Sequence, residues 1–288
     1  MGLSTLLLTV TTLVCFAGNS LLARAALGAG LVDAATYNSA RLAAGAAALA
    51  LLRRLETGPR PAAGGGWLPG LVLVAYGASF SLAYQRIPAG VGALVLFTSV
   101  QFTMVGWAVA TGQRPAPAQW AGILLAVAGL AYLALPGARA PDPAGTGLMV
   151  AAGAAWGAYS LLARGANPIS QNADAFLRSL PAAAAFSLLR IGSFSASGRG
   201  LALACASGVI GSAGGYCLWY AVAPRLGPTR GAAVQLAVPV LAAAGGVVLL
   251  GEPVGARLVA AGIAILGGVG LVVWRPPAAR LPGPGRGG

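Results

Sequence analysis

Two sets of three side chains, spaced i, i+3 and i+4, are the first candidates for contact with a solute. They are Phe16, Asn19 and Ser20, and Trp156, Tyr159 and Ser160. This spacing places each set on one face of a helix, with an aromatic ring beside hydrogen-bonding groups. Such a face suits a small polar solute that has an apolar body. The alternative is that these small and hydroxylated residues only mediate contacts between helices.

Further aromatic and polar residues occur deep inside apolar segments. Aromatic side chains with a polar group can line a cavity or simply pack, and a buried amide without a partner is energetically costly. We therefore expect one further set of residues to face the interior and to contact substrate. This set is Tyr76, Phe80, Thr98, Gln101, Tyr216, Trp219 and Gln235.

Two arginines also lie within apolar segments. Arg41 and Arg178 each precede the arginine that ends their segment by twelve residues, which is roughly 18 Å along a helix. Charges at such depth are candidates for binding a substrate carboxylate. However, Asp174 lies four residues before Arg178, where the spacing predicts an ion pair, and Asn38 lies three residues before Arg41. We therefore favour a structural or gating role, near a helix end, for Arg41, Arg178 and Asp174.

Missing residue types exclude several chemistries. The sequence has no His and no Lys, so it offers no imidazole acid, base or metal ligand and no amine for a Schiff base. Its cysteines, Cys15, Cys205 and Cys217, are far apart, unlike a set of metal ligands. Its five acids lie between apolar segments or near their ends, and for Glu252, in the turn after the ninth segment, we expect a local helix cap or an interfacial salt bridge with nearby Arg257. We predict no enzymatic activity, no cofactor, no metal site and no embedded carboxylate for a proton relay.

The elements that must position these residues are transmembrane helices. The chain has 288 residues, of which 58% are hydrophobic and 8% charged, whereas soluble domains carry about 25% charged residues. Its apolar runs have the length of about 20 residues that spans a bilayer. They predict an all-α polytopic membrane protein with spans near residues 3–23, 34–52, 67–84, 89–110, 118–135, 145–163, 173–189, 200–221, 231–250 and 255–274.

The net charge of +13 comes from 18 arginines against five acids. In so apolar a chain, loop arginines interact with lipid headgroups, and nucleic-acid binding would require basic residues clustered on one face. With a cytoplasmic N-terminus, ten arginines fall on the inner side and six on the outer side. This bias predicts a multi-pass inner-membrane protein with both termini in the cytoplasm. Residues 276–288, rich in Pro and Gly, are expected to form a disordered cytoplasmic tail.

The sequence also contains an internal repeat. Residues 20–24, Ser-Leu-Leu-Ala-Arg, recur at 160–164, and other matches follow in order at nearly the same offset. We predict two five-helix repeats, residues 1–136 and 144–275, joined by a linker at 137–143. Because five is odd, the second repeat enters the membrane in the opposite orientation. Inverted repeats of this kind are typical of secondary transporters and place the substrate site near the midplane.

The chain resembles a known family. The residues that carry the resemblance are Trp156-Gly157, Arg41 and Arg178 in the second helix of each half, Pro239, and Leu250-Gly251-Glu252 followed by Gly262. In this order they resemble EamA-type transporters of the drug/metabolite transporter superfamily, including the YddG-like amino-acid exporters. The resemblance implies ten helices arranged like a basket around a central cavity, and export of small metabolites, commonly amino acids. The first half departs from the pattern, with Phe16 replacing Trp, Val100 replacing Pro and Gln113 replacing Glu.

These observations predict a secondary transporter that exports small metabolites by alternating access, above all aromatic or other neutral amino acids. The alternatives are an exporter of cationic drugs or other metabolites, or a membrane sensor or channel without transport activity. A cation exporter would need a carboxylate at depth, which the sequence lacks. The expected partners are a small-molecule substrate and the lipid bilayer, without nucleic acid, and the expected assembly is a monomer or weak homo-oligomer.

Overall fold

Helices form nearly all of the computed structural model, which describes residues 2–56, 66–112, 116–135, 140–162 and 167–273. They are α1 (Leu3–Leu27), α2 (Ala34–Leu55), α3 (Leu68–Tyr84), α4 (Ala89–Ala110), α5 (Pro117–Ala134), α6 (Pro143–Leu162), α7 (Pro168–Leu189), α8 (Gly198–Ala206), α9 (Gly215–Gln235), α10 (Ala237–Leu250) and α11 (Ala256–Val273). A segment of π-helix, Ser207–Gly214, joins α8 to α9. By length and composition, α1, α4 and the stretch Gly198–Ala223 can each cross a membrane, and four shorter apolar helices accompany them. The predicted all-α, multi-helix membrane fold is confirmed.

The first seven predicted spans coincide with α1 to α7 to within five residues at each end. The eighth and ninth differ, because the predicted break at residues 222–230 is helical: α9 continues to Gln235, and Leu236 alone separates it from α10. The connection is helical although it contains Pro224, Gly227 and Pro228, residues that are typical of a break between helices.

Packing between the two halves follows a paired pattern. Helix α3 packs on α6 and α7, and its counterpart in the second half, the stretch from α8 to α9, packs on α1 and α2. Helix α4 contacts α6, just as α10 contacts α1. The remaining large contacts join counterparts directly: α2 with α7, α4 with α10 and α5 with α11. Exchanging the two halves therefore leaves the set of helix contacts almost unchanged.

Helices α2 and α7 run antiparallel. Near the start of α2, Ser39 Oγ lies 2.8 Å from Ser187 Oγ near the end of α7. Near the end of α2, Arg53 Nη1 lies 2.8 Å from Asp174 Oδ1 near the start of α7. Antiparallel packing of corresponding helices is the arrangement that an inverted repeat requires. The inverted repeat stays a prediction, which this packing supports.

Helices α5 and α11 pack mainly against each other, at the margin of the bundle. Glycines make the contact close: Gly129 lies against Ala261, Ala264 and Ile265, and Gly268 lies against α5. Small residues of this kind let helix backbones approach in apolar surroundings. This pair supplies no residue to the central cavity described below, as the sequence analysis expects for its fifth and tenth spans.

Some sequence predictions fall outside the described residues. They concern Gln113, residues 137–139 of the linker, Arg164 and the tail at 276–288.

We predict that Arg54→Cys and Arg190→Cys, each in a background without the three native cysteines, are labelled from opposite sides of the membrane. Both residues are exposed, and they end the antiparallel helices α2 and α7. The measurement is modification by a membrane-impermeant maleimide in intact cells and in inside-out vesicles. Labelling of both positions from the same side would rule out the inverted arrangement.

Candidate functional site

A small cavity lies between the two halves of the bundle. Helices α1, α3 and α4 supply six of its lining residues, and α6 and α9 supply one each. The lining is Phe16, Asn19, Ser20, Tyr76, Leu96, Phe97, Trp156 and Tyr216. The cavity volume is about 20 Å³, which is room for about one water molecule. The structure therefore shows this site closed, with its walls in contact.

Trp156 is at the centre of the aromatic lining. Its ring centroid lies 4.4 Å from that of Tyr216, 5.4 Å from that of Tyr76 and 6.3 Å from that of Phe16. Tyr159 stacks on Trp156 with centroids 5.6 Å apart. Rings at these separations attract each other beyond the effect of burial. One side chain of α6 thus contacts α1, α3 and α9.

A chain of hydrogen bonds runs along the cavity wall. Ser207 Oγ donates to Asn19 Oδ1 at 2.6 Å, and the Asn19 amide donates to Tyr76 Oη at 3.3 Å. Ser207 begins the π-helical segment, and Gly211 in the same segment packs directly against Asn19. These bonds connect α1, α3 and the second half. The bond to Tyr76 is long for a hydrogen bond and is the weaker of the two.

Arg41 is completely buried behind this wall. Its guanidinium carbon lies 5.0 Å from the centroid of the Tyr76 ring and 5.3 Å from that of Phe80, where an aromatic face attracts a cation. None of its guanidinium nitrogens makes a hydrogen bond of normal geometry to a described residue. Arg41 lies two turns after the start of α2, and α3, α7 and the π-helical segment all cover this helix and bury the side chain against Tyr76 of the cavity wall.

Other polar atoms near Arg41 are also buried without a hydrogen bond of normal geometry. They are Tyr37 Oη, both amide atoms of Asn38, Ser212 Oγ and Tyr216 Oη. Asn38 Oδ1 and an Arg41 nitrogen both press against Gly77 of α3, where a Cβ would collide with Asn38. Unpaired buried polar atoms are rare in folded proteins. Several of them together mark a place where water or a solute completes the hydrogen bonds.

Arg178 and Asp174 lie away from the cavity. The expected ion pair between them is not formed: Arg178 donates to the Gly66 carbonyl at 3.0 Å, and Asp174 accepts from Arg53 at 2.8 Å. The reason is the antiparallel contact of α2 with α7, which brings Arg53 to Asp174. This ion pair joins the two halves at the end of the bundle that we predict to be cytoplasmic.

The opposite end is closed around Glu252. The backbone at Gly251 is left-handed, with φ 65°, which favours glycine. The turn lets the Glu252 N–H donate to the Gly246 carbonyl at 3.0 Å and directs the chain back over α10. The Glu252 carboxylate accepts from Arg24 Nε at 2.9 Å and from the Ala89 backbone N–H at 2.8 Å. One carboxylate therefore joins α1, α4 and α10, rather than forming the local pair with Arg257 that the sequence suggests.

Asp33 makes a second connection at that end. Its carboxylate caps α2 by accepting from the N–H groups of Ala35 and Thr36, and it also accepts from the Ser195 N–H at 3.1 Å. Partial burial by itself raises the pKa of Asp33, but these hydrogen bonds outweigh burial and lower the pKa. The charged carboxylate thus links α2 to the segment between α7 and α8.

The predicted substrate-binding residues fall into three groups. The residues that line the cavity are Asn19, Ser20, Tyr76, Trp156 and Tyr216. The rings that pack against this lining are Phe80, Tyr159 and Trp219. The residues that do not line it are Thr98, Gln101, Ser160 and Gln235. In the last group, Thr98 and Ser160 donate to carbonyls of their own helices, while both glutamines are buried.

Sequence reasoning did not select Leu96, Phe97, Asn38 or Ser207. Leu96 and Phe97 belong to a uniformly apolar segment and carry no signal of their own. Asn38 and Ser207 are polar groups inside apolar segments, which is the criterion that selected Thr98. Applied throughout, the same criterion identifies both residues.

Three comparisons relate this arrangement to known proteins. Residues 143–274 match the EamA-like transporter family. The chain is 46% identical over 270 residues to the uncharacterized protein PA1977 of Pseudomonas aeruginosa, covering 93% of this chain and 94% of that protein. A solved crystal structure of another protein, at 22% identity, gives a TM-score of 0.61 and covers 93% of this chain and 97% of that one. At this identity, the structural match shows a shared fold.

The family match begins at the first residue of α6 and ends directly after α11, and the Pseudomonas relative extends the similarity across nearly the whole chain. Together with the helical bundle and its central cavity, they establish that the chain belongs to the EamA-like transporter family, within the drug/metabolite transporter superfamily of membrane transporters.

Proposed function

We propose that this protein is a secondary transporter that exports small metabolites, with amino acids as the favoured class, by alternating access between two inverted five-helix halves. The observation that carries the proposal is the cavity between the halves, lined by five aromatic rings with Asn19 and Ser20 among them. Rings offer contact to an apolar body, and the polar groups orient the solute. We place the protein in the inner membrane with both termini in the cytoplasm.

Alternating access requires contacts between helices that break when one end opens. The connections through Glu252 and Asp33 lie at the end of the bundle that the arginine distribution predicts to be extracytoplasmic. The Arg53–Asp174 ion pair lies at the other end. We therefore assign Arg24 and Glu252 to an outer gate and Arg53 and Asp174 to an inner gate.

We predict that Glu252→Gln opens the outer end. The amide cannot provide the charge that holds Arg24, and losing a charged hydrogen bond costs about 1.5–3 kcal/mol. The population open to the outside rises accordingly. The measurement is the rate at which an external, membrane-impermeant maleimide modifies Ser20→Cys in a background without native cysteines.

Arg86→Gln is the matched control for this experiment. Arg86 pairs with Asp142 at the same end, but the two atoms are 3.6 Å apart and the side chains are 53% and 36% exposed. An exposed pair of this kind is worth at most about 1 kcal/mol. Equal labelling rates in the Arg86 and Glu252 variants would show that Glu252 does not hold the gate.

We predict that Trp156→Ala lowers kcat/KM for transport by about tenfold or more, equivalent to about 1.4 kcal/mol. Trp156 contacts the rings of three other helices at the cavity, whereas Trp107, the control, is half exposed on α4 and does not line the cavity. Transport is measured in proteoliposomes with equal amounts of folded protein. A loss no larger than that of Trp107→Ala would contradict the aromatic binding site.

We predict that counterflow of substrate persists when both the pH gradient and the membrane potential are abolished. A proton-coupled carrier uses an embedded group whose protonation alternates, and the five acids of this chain lie in loops or within two turns of a helix end. Asp174→Asn, which breaks the inner-gate pair with Arg53, should change the rate of counterflow but should not make counterflow depend on a pH gradient. Loss of accumulation driven by a pH gradient in this variant, with counterflow spared, would instead indicate proton coupling through Asp174.

A further inference from the structure

The guanidinium of Arg41 is the one cationic group among the described residues that is fully buried within the bundle. A charge removed from water is costly unless a counterion or several hydrogen bonds compensate for it. The rings of Tyr76 and Phe80 compensate in part. The five donor N–H groups of the guanidinium nevertheless have no acceptor of normal geometry among the described residues.

The protein contains no carboxylate that is free to act as the counterion. All five acidic residues are described, and each is engaged elsewhere. Asp33 caps α2, Glu56 accepts from Asn167, Asp142 accepts from Gly145, Asp174 pairs with Arg53, and Glu252 pairs with Arg24. The positive charge of Arg41 is therefore not neutralised from within the chain.

The groups next to Arg41 are suited to an anion. The hydroxyls of Tyr37 and Tyr216 and the amide of Asn38 are buried, and none of them makes a hydrogen bond of normal geometry to a described residue. Tyr216 also lines the cavity, as does Tyr76, whose ring lies against the guanidinium. The unpaired charge and the unpaired donors therefore lie next to the cavity, behind its lining residues Tyr76 and Tyr216.

We propose that Arg41 binds the carboxylate of the transported solute, and that the site selects small monocarboxylates with an apolar body. This inference rests on the transport function proposed above, and it takes the carboxylate, which amino acids share with other small monocarboxylates, as the group that the site recognises. One guanidinium neutralises one carboxylate and binds it through two parallel hydrogen bonds. The aromatic lining around Trp156 receives the apolar body. An amide or an amine of the same shape leaves the Arg41 charge unneutralised, and an amine adds a second positive charge.

Binding requires the cavity to widen, because about 20 Å³ does not hold such a solute. Tyr76 is the side chain that separates Arg41 from the cavity, and its hydroxyl is held by the 3.3 Å bond from Asn19. Movement of this ring breaks a weak hydrogen bond and exposes the guanidinium. The solute carboxylate then takes the place of the ring.

The test measures binding to the purified full-length protein in lipid nanodiscs, by calorimetry and by tryptophan fluorescence. The probes are matched acid and amide pairs, propionate with propionamide and hydrocinnamate with hydrocinnamamide, together with phenethylamine. The dissociation constant of hydrocinnamate is expected to be at least about tenfold lower than that of its amide, which is the difference that one charge-assisted pair provides. Absence of an acid preference in both pairs would overturn the proposal, whatever the variants show.

Three variants locate the effect. Arg41→Gln should lose the acid preference while retaining the weak binding of hydrocinnamamide, which also reports that the site is folded. Arg41→Lys, which keeps the charge without the paired donors, should retain part of the preference. Arg178→Gln is the control, because Arg178 is the corresponding arginine of the second half. Its guanidinium donates to the Gly66 carbonyl, away from the cavity. An unchanged acid preference in Arg41→Gln would refute the role of Arg41.

Counterflow in proteoliposomes separates this inference from the transport function itself. Saturable counterflow of hydrocinnamamide as fast as that of hydrocinnamate would support transport and refute carboxylate selection. Selective binding of hydrocinnamate without counterflow of any probe would support the Arg41 site and refute carrier activity for these solutes.

Discussion

Close approach of helices at glycine is the constraint on which the interior of this protein depends. Gly208 lies against the carbonyl oxygen of Arg41, Gly77 against the Asn38 side chain and Gly45 against the ring of Phe176, each so closely that an added Cβ would be within 3.0 Å of its neighbour. In apolar surroundings helices gain little from hydrophobic association, so small residues and close van der Waals contact hold them together. The same close contact buries Arg41 completely.

The two halves have similar helix packing but different chemistry. Arg41 and Arg178 occupy matching positions in the repeat, yet Arg41 is fully buried, whereas Arg178, in the middle of α7, is partly exposed and donates to the Gly66 carbonyl just before α3. Asn38 and Asn172 each follow the N-cap of their helix by five residues, and both are buried. Asn172 accepts a hydrogen bond from Tyr159 and donates one to the Pro168 carbonyl. Asn38 has no hydrogen-bond partner of normal geometry. The half that departs from the family motifs thus contains the buried arginine and the unpaired asparagine, while the half that matches the family satisfies its asparagine internally.

The polar contacts between helices are arranged by depth. Charged connections occur at the two ends, through Glu252 and Asp33 at one and Asp174 at the other, whereas the centre contains rings and single hydrogen bonds. A connection at an end breaks when that end opens, and water then solvates the released charges at little cost. The rings at the centre are held mainly by contacts that have no fixed direction, and moving the Tyr76 ring breaks only the weak hydrogen bond from Asn19. Such an arrangement suits a bundle that opens its two ends alternately while its central site stays intact.

The sequence by itself determined the helical membrane class, the positions of the first seven spans, the internal repeat, and all the aromatic and polar residues that line the cavity except Phe97. It could do so because apolar length and helical spacing are properties of the local chain. It did not determine which ionised groups pair. Spacing along the chain suggested ion pairs of Asp174 with Arg178 and of Glu252 with Arg257. In the structure, the antiparallel packing of α2 on α7 pairs Asp174 with Arg53 instead. The turn at Gly251 likewise pairs Glu252 with Arg24. The burial of Arg41 was likewise decided only by tertiary structure, because the local sequence does not show that three other elements pack on α2. Pairing and burial are properties of contacts between distant segments, and their energy depends on which charges the folded chain removes from water.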